Sequence, residues 1–264
     1  MGAGVVQGDG GIQRSRPARR RLVVTLLLAL ALLASGLASG LATTAPAAAA
    51  ASWSLTSPLA RETVRRGARD VDVYHIAHVR ELQRRLARLG LYRSTIDGSY
   101  GRLTARAVRT FKKRAGLPVT TTVGHLAWAK LVRRTTHLKV PQRCRAKGWH
   151  MCLDRFHHEA TLFRGGTLYN SWLVRMGSRS TPTRLGTHAV YWRDIDHVSS
   201  LYDSPMPYSQ FFDGGQALHG SVLMMDPYVG HSHGCVNFYL EDARQLWRLT
   251  STRRLVVTVH GAWN

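Results

Sequence analysis

The densest chemistry in this 264-residue chain lies near its C-terminal end, in Ser232-His233-Gly234-Cys235-Val236-Asn237, with His219 upstream behind the run Gly214 to Leu218. A cysteine acts as a nucleophile through its thiolate. At an unperturbed pKa of about 8.5 only a few per cent is ionised at neutral pH, so a nearby base is needed. His219 is the candidate base. Gly234, beside Cys235, lets a substrate carbonyl come close to the main chain, where the successive N–H groups of His233 to Cys235 could line an oxyanion hole. The chemistry implied is nucleophilic acyl transfer through a thioester.

Two other readings use the same residues. His219, His231, His233 and Cys235 are all zinc-ligand types, although the familiar CxxC and HExxH spacings are absent. Alternatively Cys235 is an inert buried thiol, which accounts for neither the adjacent glycine nor the two histidines. The acyl-transfer reading calls for no metal and no cofactor.

Several elements must position these groups. Trp149, Met151 and Leu153 alternate, and the runs Leu162-Phe163 and Leu168 to Val174 flank Arg164-Gly165-Gly166, the pattern of a hairpin. Gly186 to Trp192, Gln216 to His219 and Leu255 to Val259 read as further strands, and Leu240, Ala243, Leu246 and Trp247 give one apolar helix face. This region, 144–264, is expected to be mostly β with one short helix. Before it, 135–143 contains Pro141 and no periodicity, as in a linker. Ile76, Val79, Leu82, Leu86 and Leu89 predict a helix ended by Gly90, Leu103 to Phe111 a second stopped by Gly116, and Val123, Leu126 and Leu131 a third. Residues 73–134 are thus a small three-helix domain, with 51–72 a linker ahead of it.

The net charge is +22, with 44% hydrophobic residues. The arginines are spread along the chain without an RNP-like aromatic run or zinc-finger spacing, so nucleic acid is not the expected partner; an anionic cell wall suits a diffuse basic surface. Residues 1–50 read as a secretory signal: Arg14, Arg16, Arg19, Arg20 and Arg21, then the apolar run Leu22 to Leu33, then an alanine-rich stretch with cleavage among Ala47 to Ala51. The apolar core is shorter than the ~20 residues of a spanning helix, with an uncleaved anchor as the alternative. Cleavage removes five arginines and one aspartate and leaves +18.

His219 followed by Ser-His-Gly-Cys resembles the signature of the L,D-transpeptidase (YkuD-type) enzymes, and Ser180-Thr181-Pro182-Thr183 with Gly186, and Met206-Pro207-Tyr208 leading through Phe211-Phe212 to His219, resemble other segments of that family. LQRRLARLGLY, IDGSYGRLTARAVRTF and GLPVTTTVGHLAW resemble a three-helix peptidoglycan-binding domain. The form with Asn237 is similar to actinobacterial members, and the twelve residues between His219 and Ser232 imply a shortened loop over the site. The resemblance implies a β-sandwich or barrel, an exported wall enzyme, and attack by Cys235 on a tetrapeptide stem with loss of D-alanine and formation of a 3→3 cross-link. Hydrolysis by the same site, or a catalytically inactive wall-binding protein, are the alternatives. In this family the carbonyl of Gly220 orients His219, the N–H groups around Gly234 hold the oxyanion, His233 shapes the pocket, and Ser232 and Asn237 support the turn. Tyr202 and Tyr208 are candidates for the donor pocket, with core packing an equal alternative. Cys144 and Cys152 are spaced for a hairpin-spanning disulfide that leaves Cys235 free; reduced thiols, or a metal held with His150, stand as the other reading. Separable domains imply that loss of 73–134 spares chemistry on small soluble stems.

Overall fold

The computed structural model describes residues 54–263, so the expected signal segment lies outside the described residues. Ala50–Asn264 is one compact unit. It opens with three helices, α1 (Val79–Arg88), α2 (Arg102–Arg114) and α3 (His125–Thr135), whose apolar faces close on Leu82, Leu86, Val108, Phe111, Trp128 and Leu131. Gly90 (φ +69°) ends α1 as expected, its N–H donating to Ala87 O at 2.8 Å.

A mostly β region follows, with β1 (Trp149–Asp154), β2 (Glu159–Arg164), β3 (Thr167–Leu173), β4 (Gly186–Ala189), β5 (Trp192–Val198), β6 (Pro205–Asp213), β7 (Gln216–Gly220), β8 (Val236–Phe238), α4 (Leu240–Thr250) and β9 (Leu255–His260). Two sheets form, ordered β3-β2-β1-β9-β4 and β5-β6-β7-β8. A shared core joins them through Met151, Leu162, Trp172, Phe212, Leu218, Val236 and Leu246, so α4 and both sheets bury one apolar interior. Gly165 and Gly166, both at positive φ, make the β2–β3 turn read from the sequence. Strands β5, β6 and β8 were not read from the sequence: β5 is largely exposed, and β8 is three residues long. Cys144 and Cys152 are joined as a disulfide between the turn before β1 and β1 itself, and Cys235 is a free thiol.

The sequence reading of 51–72 as a linker needs correcting over its described residues. Leu59, Ala60, Arg61 and Val64 are buried, Val64 pairs with Val123, and Leu59 N–H donates to Tyr169 O at 2.9 Å. Asp70 also caps α1, accepting from the N–H groups of Val79 (3.1 Å) and Arg80 (2.8 Å), where a carboxylate meets the positive end of the helix dipole. The segment therefore stitches the helices to the sheets.

The seam is ionic. Arg61 donates to Glu81 at 2.9 and 3.0 Å and to Ser171 O at 2.6 Å, Arg85 donates to Glu81 at 2.7 Å, and Glu159 accepts from Ser171 Oγ at 2.6 Å. His78 meets Asp242 of α4 at 3.2 Å. His78, Glu81 and Asp242 are the one group of three potential metal ligands gathered within 4.8 Å among the described residues, but Arg61 and Arg85 already neutralise the carboxylates.

Burial opposes the charge on His78, but Asp242 and then Glu81 outweigh it and raise the imidazole pKa to about 9. A group whose pKa is higher folded than unfolded, where it is about 6.5, adds stability that is complete below pH 6.5 and lost as pH rises through 9. Thermal melts of the wild type should therefore show stability declining from pH 6.5 to above 9. His78→Gln should lack that slope; an unchanged slope would remove His78 as its source.

Candidate active site

The register of two parallel strands builds the site. β7 pairs with β8 so that Leu218 faces Val236 and His219 faces Asn237. Cys235, immediately before β8, is thereby set near the start of β7, against Ala217, and it and His219 line one cleft of about 220 Å³ with Arg175, Tyr202, Ser232, His233 and Asn237. Gly220 has no room for a side chain, since a Cβ there would lie 2.9 Å from Leu240 and 3.3 Å from Ala243 of α4. That close approach fixes the strand end carrying the histidine.

His219 is buried, and its Nδ1 is 2.8 Å from Gly220 O. Since a carbonyl only accepts, Nδ1 carries the proton and Nε2 keeps its lone pair. Burial lowers the pKa to about 4, outweighing the hydrogen bonds to Gly220 and Asn237, so the ring is neutral at ordinary pH. Cys235 packs against Met206, Phe211 and Ala217, and this apolar burial raises its pKa, only partly offset by the Ala217 main chain and Arg184. In the resting state the pair is a neutral thiol and a neutral imidazole, with Sγ 3.8 Å from Gly215 O.

Ser232 ties the cysteine turn, donating from Oγ to Cys235 O at 2.5 Å and accepting from Gly234 N–H at 3.1 Å. Gly234 stands at φ +117°, and a Cβ there would fall 2.3 Å from the Gln216 side chain. The Thr-Pro-Thr segment braces the turn from outside: Thr181 donates to Ser232 O at 3.0 Å, Thr183 to Gly234 O at 2.9 Å, and Pro182 O accepts from Gln216 at 2.7 Å. Asn237 donates to Ser221 Oγ at 3.3 Å beneath the histidine. His233 is exposed, and the Tyr202 ring stacks on it at 4.4 Å, forming one wall of the cleft.

Tyr208 does not join them. It packs towards Trp247 and the sheet core, at positive φ, outside the cleft. The zinc reading also finds no gathered ligand set, since among the described residues no three of His219, His231, His233 and Cys235 bring ligand atoms within 4.8 Å of one another. Sequence reasoning missed Arg175 as a cleft residue, although an arginine continuing the apolar run of β3 was the available signal.

It also missed what holds the loop between His219 and Ser232. Asp226 accepts from Arg84 of α1 at 2.6 and 2.7 Å, Arg84 lies over the Tyr228 ring at 4.0 Å, and Arg88 donates to Tyr228 Oη at 2.8 Å. Met224 packs on Ile76, just before α1. The loop beside the cleft is thus clamped by the helical region, and removing 73–134 would strip that support, contrary to the expectation of separable domains. Asp226→Ala should raise amide hydrogen exchange in residues 221–231 by roughly 5- to 10-fold, the equivalent of about 1 kcal/mol for a partly exposed pair. No change in those amides would show that the clamp does not order the loop.

Comparison with known proteins gives the site a family. Residues 77–131 match the putative peptidoglycan binding domain, and residues 151–258 match the L,D-transpeptidase catalytic domain, YkuD. No curated protein matches the chain. Among solved structures, an L,D-transpeptidase from Stackebrandtia nassauensis is 24% identical over 78% of this chain and 98% of its own, with a TM-score of 0.48. One from Xylanimonas cellulosilytica is 26% identical over 76% and 98%, with a TM-score of 0.43, and one from Mycobacterium smegmatis is 19% identical over 42% and 58%, with a TM-score of 0.39. The assignment rests on the two domain matches: the chain is an enzyme of the L,D-transpeptidase type, its YkuD catalytic domain at residues 151–258 and a putative peptidoglycan binding domain at residues 77–131.

Proposed function

We propose that this chain is an exported cysteine acyltransferase that acts on peptidoglycan stem tetrapeptides and forms 3→3 cross-links. The observation that carries the reading is the tautomer imposed by Gly220, which leaves His219 Nε2 as a proton acceptor in the cleft that holds the free thiol. Cys235 Sγ attacks the carbonyl carbon of the third stem residue as its proton passes to His219 Nε2. The oxyanion meets main-chain donors; Gly234 N–H is engaged by Ser232, which leaves the amides of His233 and Cys235 for that role. Collapse breaks the C–N bond, and His219 returns the proton to the departing amine of D-alanine. The amine of a second stem then displaces the thioester and regenerates the thiol; water in its place gives an L,D-carboxypeptidase. Residues 73–134 hold the enzyme to the wall, 1–50 direct export, and 135–143 connects the helical region to the catalytic one.

The test is intact-protein mass spectrometry after incubation with a disaccharide-tetrapeptide. A thioester on Cys235 with free D-alanine is expected, and the products, dimer or tripeptide, separate transfer from hydrolysis. Cys235→Ala should abolish both while wall binding persists. Wall binding by the wild type without adduct or D-alanine would indicate an inactive binding protein.

The pH profile follows from the neutral pair. His219 protonates only near pH 4, so kcat/KM should keep its activity well below pH 6.5 and fall near 4. Because burial holds Cys235 as a thiol, alkylation by iodoacetamide should still be accelerating above pH 9. A plateau in alkylation from pH 6 would instead indicate a preformed thiolate.

A further inference from the structure

One charged group in the cleft is left unused by this chemistry. Arg175 follows β3 and is anchored by its main chain to Asn237, with N–H to O distances of 3.1 and 2.8 Å in the two directions. It lines the cleft, its guanidinium donating from Nη1 to Leu223 O at 3.2 Å and from Nη2 to Ser221 Oγ at 3.4 Å. Both acceptors are neutral. Among the described residues Arg175 forms no ion pair, and its Nε is buried without a hydrogen-bond partner. By contrast, Arg61, Arg84, Arg85 and Arg88 all meet carboxylates. A half-buried guanidinium with spare donors and no counter-ion is an anion site, and its fork fits a carboxylate.

The position selects which carboxylate. Ser221 and Leu223 follow His219 closely in the chain and line the same cleft, where the Arg175 charge adds to the lowering of the His219 pKa. In the reaction proposed above, His219 delivers a proton to the nitrogen of the departing amino acid, and the α-carboxylate of that amino acid is two bonds away from this nitrogen. We propose that Arg175 binds the free C-terminal carboxylate of the donor peptide, so that the enzyme removes a terminal residue and rejects a peptide that continues beyond it. The inference rests on the proposed function for the identity of the donor, and on the cleft geometry for the arginine.

The experiment compares two soluble donors, a tetrapeptide ending in D-alanine and the same peptide ending in D-alaninamide. For each, kcat/KM is measured on the full exported chain, and Kd on its Cys235→Ala form. The wild type should prefer the free acid by roughly 10- to 100-fold, the worth of a charge-assisted hydrogen bond. Arg175→Gln should bring that ratio close to one, and Arg175→Lys should keep part of it. Equal ratios for wild type and Arg175→Gln, with both proteins showing cooperative melts, would overturn the inference while acyl transfer stands. No turnover of either donor, with the free acid still bound more tightly and the preference lost in Arg175→Gln, would sustain the carboxylate site and overturn the proposed reaction.

Discussion

The parallel pairing of β7 with β8 is the constraint on which the site depends. A shift of one residue would turn His219 from the cleft face to the opposite face and separate it from Cys235, because side chains alternate along a strand. Only three residues of β8 make the pairing, too few to hold register alone. The rest comes from its surroundings: α4 pressed against Gly220, Asn237 tied to the main chain of Arg175, and the threonines at 181 and 183 bonded to the carbonyls of Ser232 and Gly234. A short strand is kept in place by side-chain and loop contacts on three sides.

The ionic seam between the helices and the sheets works differently. Burying Arg61, Glu81, Arg85 and Glu159 yields little net stability against an apolar seam, because desolvating each charge costs about as much as its partners return. Removing one member, however, leaves a buried charge unpaired, and that is costly. Such a network therefore penalises every docking arrangement but one. The catalytic loop inherits that specificity, since Arg84 and Arg88 on the same helix hold Asp226 and Tyr228 beside the cleft. Order at the cleft and docking of the helices are one structural problem.

Much of this was legible in the sequence, for identifiable reasons. The four helices announce themselves by apolar spacing, the first two also by the terminal glycines Gly90 and Gly116, and the β2–β3 hairpin by Gly165-Gly166. His219 and Cys235 stand out because a His, Ser-His-Gly-Cys order has few structural explanations. What was hidden lies where polarity and burial part company. Glu81 and Arg85 lie off the apolar spacing that predicts α1 yet are buried, because their partners come from residues 61, 159 and 171, remote in sequence. Arg61 sat in what looked like a linker for the same reason. β5 could not be found by periodicity because both its faces are largely exposed. Tyr208 illustrates the converse, an aromatic in a motif-like segment that serves the packing around Trp247.

The distribution of charge separates two tasks that a net charge of +22 would seem to merge. In the proposed function, exposed arginines would act on an anionic wall through a field screened over about 8 to 10 Å at physiological salt, which favours adhesion without choosing among sites. Arg175 is partly shielded within the cleft and has no counter-ion among the described residues, so its attraction is short-ranged and directional. Adhesion should weaken steeply with salt while discrimination at the cleft changes little, because a partly buried pair is screened far less than an exposed one. On the proposed function the same residue type would serve concentration at the surface and selection at the site, with burial alone distinguishing the two.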